Sequence, residues 1–310
     1  MPVLSRVGLG AWAFGGVGWG PQDDRDSAAT IRHAVACGIG WIDTAAVYGN
    51  GHAERIVGEA VAGLPADERP LLFTKAGVLV DPDTGGTYRD LSPASVRAEC
   101  ERSLDRLGVE RIDLYQLHWP VEEVEVVEAA WSTLGELREE GKIRWAGVSN
   151  FDRDLMERCD RIRSLDAAQM PLSLLEDKFV RAELPWLAEH RVATIVYSPL
   201  ESGLLSGRFS LERLAALPED DWRRRRPRFQ SPQVERALDL VELLRPIADE
   251  LGASIAELAI AWTTHFDGVA GAIVGARAPA QVDGWIGAAQ LDLDNDVLAR
   301  IAELRAKANI

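Results

Sequence analysis

Residues 71–119 read "LLFTKAGVLVDPDTGGTYRDLSPASVRAECERSLDRLGVERIDLYQLHW". The runs at 71–77 and 112–119 are short, apolar and bounded by turn residues, as buried strands are. Between them, 92–108 has the apolar spacing of a helix. Ser92 stands at its cap, Pro93 in its first turn and Gly108 at its end. A strand, a helix and a strand in this order make one parallel unit.

The unit recurs along the chain. "RVGLGAW", "WIDTA", "LLFTKAG", "IDLYQLHW", "WAGVSN", "AAQMPL", "ATIVYSP" and "GAIVGA" are all strand-like, and amphipathic stretches such as "VVEAAWSTLGELREEGKI" separate them. Eight such strands are the number that closes a barrel. The expectation is an α/β fold, a (β/α)8 TIM barrel in one domain over residues 1–310; an open doubly wound sheet is the competing arrangement. Residues 200–232 exceed the minimal repeat, and 233–251 add an extra helix that Pro246 should kink. These additions are assigned to the C-terminal face of the barrel.

A chain of 310 residues with 47% hydrophobic and 27% charged residues can build its core without staples. The formal charge of -15 disfavours nucleic acid and anionic membranes as partners. Cys37, Cys100 and Cys159 are scattered and show no CxxC, which fits a reducing cytosol and suggests neither a disulfide framework nor a metal site. With no leader-like N-terminus and no long apolar run, a cytoplasmic protein is expected, as a monomer or homo-oligomer.

In a barrel of this kind, chemistry sits at the carboxyl ends of the strands. Asp43 ends the second strand and Tyr48 lies in the loop beyond it. Lys75 closes the third strand and His118 the fourth. Each has an ordinary reading alone: a capping Asp, a solvated Lys, a core His. Four ionisable groups on three consecutive strand exits suggest a site. An ammonium favours a neighbouring phenolate, an Asp holds that ammonium charged, and a neutral His orients a carbonyl oxygen. The set can deliver a proton to an oxygen as negative charge develops there. With no Ser or Cys nucleophile paired to a base and no metal cluster, the electrons must come from elsewhere.

The motifs "GLGAWAFGG", "IDTAAVYGNGHAE", "TKAG", "DLYQLHWP", "GVSNF" and "YSPLESGLLSG" occur in the order found in aldo-keto reductases, and the chain resembles that family over essentially its whole length. The resemblance implies the (β/α)8 barrel and NAD(P)(H)-dependent interconversion of a carbonyl (aldehyde, ketone or sugar) and an alcohol. It maps the family's catalytic positions onto Asp43, Tyr48, Lys75 and His118, with Tyr48 as general acid in reduction. The nicotinamide would supply the hydride. Other classes remain open: a cofactor-binding sensor subunit with little turnover, and a Schiff-base aldolase using Lys75.

By the same resemblance, Ser149, Asn150 and Gln169 meet the nicotinamide carboxamide and Tyr197 stacks on the ring. The loop with Ser198, Pro199, Leu200, Ser202, Gly203, Leu204 and Gly207 wraps the pyrophosphate. Gly275, Arg277 and Gln281 hold the adenosine end, where an Arg suits a 2′-phosphate and favours NADP(H) over NAD(H). Trp285 stands where relatives often carry a polar adenine contact and reads as core. Relatives also have an N-terminal hairpin plugging the barrel bottom, where this chain has only residues 1–5. Trp12 is assigned to both cofactor and substrate pocket, and Trp119 to the pocket. Phe14, Trp19 and Trp222 are further mouth candidates. The run Arg223–Arg226 reads as a solvated loop in preference to a phosphate site, and Gly85 with Gly86 suggests a mobile loop.

Overall fold

A computed structural model describes residues 1–16, 20, 22–219 and 221–310. Its strands are β1 (Val7–Gly10), β2 (Trp41–Asp43), β3 (Leu71–Ala76), β4 (Val78–Val80), β5 (Thr87–Arg89), β6 (Ile112–Leu117), β7 (Ile143–Ser149), β8 (Ala167–Pro171), β9 (Ala193–Tyr197) and β10 (Val269–Gly275). Eight of them are parallel and close a barrel in the order β1-β10-β9-β8-β7-β6-β3-β2. The fold is the expected (β/α)8 barrel, and the open sheet is excluded because β1 pairs with both β2 and β10.

Local chemistry explains the elements. The helix Pro93–Leu107 starts where the Ser92 side chain accepts from the Ser95 amide and ends where Gly108 turns left-handed at φ 65°. The extra helix, Gln233–Glu250, runs through Pro246 without interruption. Among the described residues, the 200–232 connection holds one short α-helix, Leu211–Ala215, and several 3-10 turns. Beyond β3 the loop expected around Gly85 is a hairpin, with β4 antiparallel to β5 and Val78 opposite Arg89. The Asp81 side chain closes it by accepting from the amides of Asp83 and Thr84.

Inside the barrel, period-two alternation sorts the side chains into layers. Trp41, Phe73, Leu114, Trp145, Ile195 and Ile273 pack together in the lower layer. Two residues further along β2, β3, β6 and β9 stand Asp43, Lys75, Gln116 and Tyr197. Residues just before β1 pack against this lower layer. Trp41 is fully buried, and its indole N–H donates to the Ser5 carbonyl at 2.9 Å. Leu4 completes the same cluster. Gly8 is what admits the indole: a Cβ there would lie 2.3 Å from the Trp41 ring. Burying each large apolar side chain contributes about 1.5–3 kcal/mol, so this layer is a firm floor beneath the polar one.

Candidate active site

The polar layer is tied across the barrel. Lys75, 1% exposed, donates from Nζ to Asp43 Oδ1 at 2.5 Å and to the Thr44 carbonyl at 2.8 Å. Gln169, from β8 on the far wall, donates to Asp43 Oδ2 at 2.9 Å and to Gln116 Oε1 at 3.3 Å. Burial is the largest single influence and opposes the Lys75 charge, but Asp43 and Tyr48 together outweigh it, and the lysine pKa is raised. The ammonium is therefore permanent at neutral pH.

Tyr48 stands over this pair, its ring centroid 5.3 Å from Lys75 Nζ. The turn that carries it is held from two sides. Gly15 lies so close that a Cβ there would meet the Gly49 nitrogen at 2.6 Å. Below it, buried Glu54 accepts from Thr74 Oγ1 and from Arg106 Nε, both at 2.6 Å, and Arg106 covers Gly51. The tyrosine pKa is raised, because burial outweighs the lowering effect of Lys75. Lys75 does favour the phenolate, as expected, but the net effect runs the other way, and the group is a protonated phenol at neutral pH.

His118 meets Tyr48 edge-on, with ring centroids 5.8 Å apart. Burial, aided by the charges of Lys75 and Arg89, holds its pKa well below the usual imidazole value. It is neutral at pH 7, as expected. A protonated phenol and a neutral imidazole thus lie against one another beside a fixed positive charge. That arrangement can donate hydrogen bonds to a carbonyl oxygen and stabilise charge developing there.

Asn150 links three strand ends. Its amide nitrogen donates to the His118 carbonyl at 3.1 Å and to Ser149 Oγ at 3.0 Å. Its oxygen accepts from the Tyr197 hydroxyl at 2.7 Å. Asn150 stands at φ 62°, in the left-handed region that Asn adopts more readily than most other non-glycine residues. Ser149 and Gln169 are buried beside it.

The loop after β9 turns repeatedly through left-handed backbone, with φ of 60° at Ser198, 45° at Glu201, 55° at Ser202, 103° at Gly203 and 73° at Gly207. Successive turns of this kind direct amide N–H groups to one side and suit an anion. Ser173 supports the loop by donating to Glu201 at 2.9 Å. At the end of β10, Arg277 donates from Nε to Gln22 Oε1 at 2.7 Å, and its amide donates to Gln281 Oε1 at 2.6 Å. Gly275 is exposed at the same edge, and Trp285 is core.

At the mouth, Trp12 stacks between Tyr48 and Trp222, at centroid distances of 6.0 and 5.6 Å. Arg226 lies over Trp222, and Arg89 lies over the exposed ring of Trp119. Phe14 is 1% exposed and belongs to the core, so it is not a mouth residue. Trp19 lies outside the described residues. The arginine run is not uniformly solvated: Arg223 grips Asp221 with two donors, at 2.9 and 2.7 Å, and only Arg225 and Arg226 are exposed. Gln116, Gln22 and Glu54 were not singled out for these roles by sequence. Gln116 alone carried a signal, since it shares the inward parity of His118.

Comparisons with known proteins identify the family and match the fold. The family model described as "Aldo/keto reductase family" matches residues 6–306. An aldo-keto reductase of Bacillus subtilis is 37% identical over 288 residues, 91% of this chain and 86% of the relative. An NADH-specific methylglyoxal reductase of Escherichia coli is 34% identical over 308 residues, 94% and 92% of the two chains. Among solved structures, a glycerol dehydrogenase from Gluconobacter oxydans superposes with a TM-score of 0.90 at 36% identity, covering 98% of this chain and 92% of that one. An aldo/keto reductase from Klebsiella pneumoniae in complex with NADP and acetate gives 0.73 at 26% identity, covering 97% and 92%. Among the described residues no helix is long and apolar enough to cross a membrane. The chain belongs to the aldo/keto reductase family.

Proposed function

We propose that the protein is a nicotinamide-dependent oxidoreductase that interconverts a small carbonyl compound and its alcohol, with Tyr48 as the proton donor in reduction. The observation that carries this reading is the buried Lys75–Asp43 pair, 2.5 Å apart, beneath a tyrosine that also meets a neutral histidine. Lys75 stabilises the phenolate left after proton transfer, Asp43 keeps Lys75 charged and placed, and His118 donates to the substrate oxygen. Gln169 and Thr44 restrict the pair to one geometry. A nicotinamide bound at these strand exits would supply the hydride.

The donor set fits such a cofactor. Ser149, Asn150, Gln169 and Tyr197 lie together at the exits of neighbouring strands. The left-handed turns from Ser198 to Gly207 suit a pyrophosphate. Arg277 is poised by Gln22 and Gln281 at the adenosine end, which supports NADP(H). The Klebsiella neighbour's title names NADP, whereas the Escherichia coli relative is named NADH-specific. The two relatives named for glycerol and methylglyoxal support a small polar substrate. The aromatic stack of Trp12 and Trp222 supplies the pocket wall.

Titration of NADPH and NADH by protein fluorescence, followed by oxidation assays over aldehydes, ketones and sugars, tests the reading. Tyr48→Phe is expected to abolish turnover and to leave cofactor affinity within about twofold, since it deletes one hydroxyl and keeps the stack. Undiminished turnover by that variant removes the mechanism. NADH binding as tightly as NADPH removes the 2′-phosphate assignment of Arg277.

A further inference from the structure

On the outer surface, away from the reacting groups, three side chains of three chemical types converge. His33 and Cys37 lie one turn apart, in and at the end of the helix Asp24–Ala36. Asp283 ends the helix Pro279–Asp283, which packs beside it. The His33 Nε2, Cys37 Sγ and Asp283 carboxylate atoms all lie within 4.8 Å of one another. We infer that His33, Cys37 and Asp283 form a binding site for a divalent transition metal of the zinc class.

The donor chemistry selects that class. A thiolate, an imidazole and a carboxylate together suit zinc and its neighbours, whereas calcium and magnesium prefer oxygen donors alone. The distances are close to those required. Tetrahedral zinc with bonds of ordinary length places N and S about 3.6 Å apart and N and O about 3.3 Å apart. Cys37 Sγ is 3.6 Å from His33 Nε2. Asp283 Oδ1 is 2.6 Å from the same nitrogen, joined by a hydrogen bond. Replacing that bridging proton with a metal requires the carboxylate to withdraw by about 0.7 Å, which an exposed residue at the end of a short helix can do. Binding displaces the thiol proton and the bridging proton, and a solvent molecule can complete four-coordination.

Sequence spacing could not reveal this site, because His33 and Cys37 supply two donors and only the closed barrel brings the third. The Asp283 helix belongs to the segment that starts at Arg277 and Gln281, and Gln22, just before the His33 helix, already bonds to Arg277. A metal would fasten the same two segments at a second point.

The cysteine inventory makes the test clean. Cys100 and Cys159 are buried, and burial pushes both thiols up to about 12, so Cys37 is the accessible thiol. The full chain, stripped with chelator and kept reduced by a phosphine, is titrated with cobalt(II). The expected result is a near-ultraviolet thiolate-to-cobalt charge-transfer band that saturates at one equivalent and is displaced by zinc. Cys37→Ser should abolish the band, and His33→Gln and Asp283→Asn should each weaken binding at least tenfold. Zinc should raise the thermal midpoint of the unaltered chain and leave that of Cys37→Ser unchanged. A missing band, a band that survives Cys37→Ser, or unchanged affinity in both His33→Gln and Asp283→Asn overturns the site. These surface variants lie outside the reacting groups, so failure here leaves the oxidoreductase reading intact.

Discussion

Removing one partner of the Lys75–Asp43 pair should cost more stability than removing both. Lys75 Nζ has no exposed side-chain surface and Asp43 has 4%, so neither charge can recover solvation if its partner is lost. Breaking a buried ion pair from one side costs about 3–5 kcal/mol, whereas replacing both charges with neutral groups of similar size is often close to neutral. Lys75→Met and Asp43→Asn should each lose about 3–5 kcal/mol, and the double variant less than either. The two singles should also differ in pH dependence. In the unaltered chain the Lys75 pKa is raised, so its contribution is complete below the unfolded lysine value, about 10.4, and is lost as pH rises through the folded value. In Asp43→Asn the largest remaining influence on Lys75 is burial, which depresses its pKa. The unfolded state then binds more protons below the unfolded lysine value, and stability rises with pH as that value is approached. Urea denaturation followed by tryptophan fluorescence at several pH values measures both effects. Additive losses in the double variant, or an Asp43→Asn cost independent of pH, would refute a pair held by mutual charge in a dry layer.

The same reasoning reaches groups around the site. Glu99 is 2% exposed, accepts from the Gly77 amide at 3.0 Å, and has its carboxyl pushed up to about 7 by burial. The folded state binds its proton more tightly than the unfolded state, so stability should fall as pH rises from about 4.5 to 7, by up to roughly 3 kcal/mol. Glu99→Gln should flatten that slope in denaturation measured across this range, and a slope equal to that of the unaltered chain would count against the assignment. Gly15→Ala would place a Cβ 2.6 Å from the Gly49 nitrogen and 2.8 Å from the Tyr48 carbonyl carbon, displacing the Tyr48 turn. Since a misplacement of about 1 Å can cost 10²-fold, kcat/KM should fall at least tenfold; normal kinetics would show the turn to be less constrained than the packing implies.

How much of this was readable before folding depends on the distance over which each feature is set. Strand identity was readable because apolar runs and turn residues are local, and inward parity followed from period two. Asp43, Lys75 and His118 were therefore placed at strand exits, where the structure has them. The hairpin at Val78–Arg89 was missed because its strands, one half-buried and one exposed, are three residues each, too short for periodicity to register. Gln22 and Glu54 escaped because their partners are remote in sequence: Gln22 meets Arg277, and Glu54 meets Arg106.

The Tyr48 pKa shows a further limit, one of magnitude. Residue types alone indicate that an ammonium beside a phenol lowers its pKa, and Lys75 does act in that direction. The net sign depends on how deeply the phenol is withdrawn from water, and the turn that carries it packs against Gly15, the Trp12 ring and the segment held by the Glu54–Arg106 pair. Those three constraints come from different parts of the chain. A proton donor that must stay protonated until charge develops on its acceptor gains from that outcome. The lysine is felt most strongly after the proton has left, when a buried phenolate has few other sources of stabilisation.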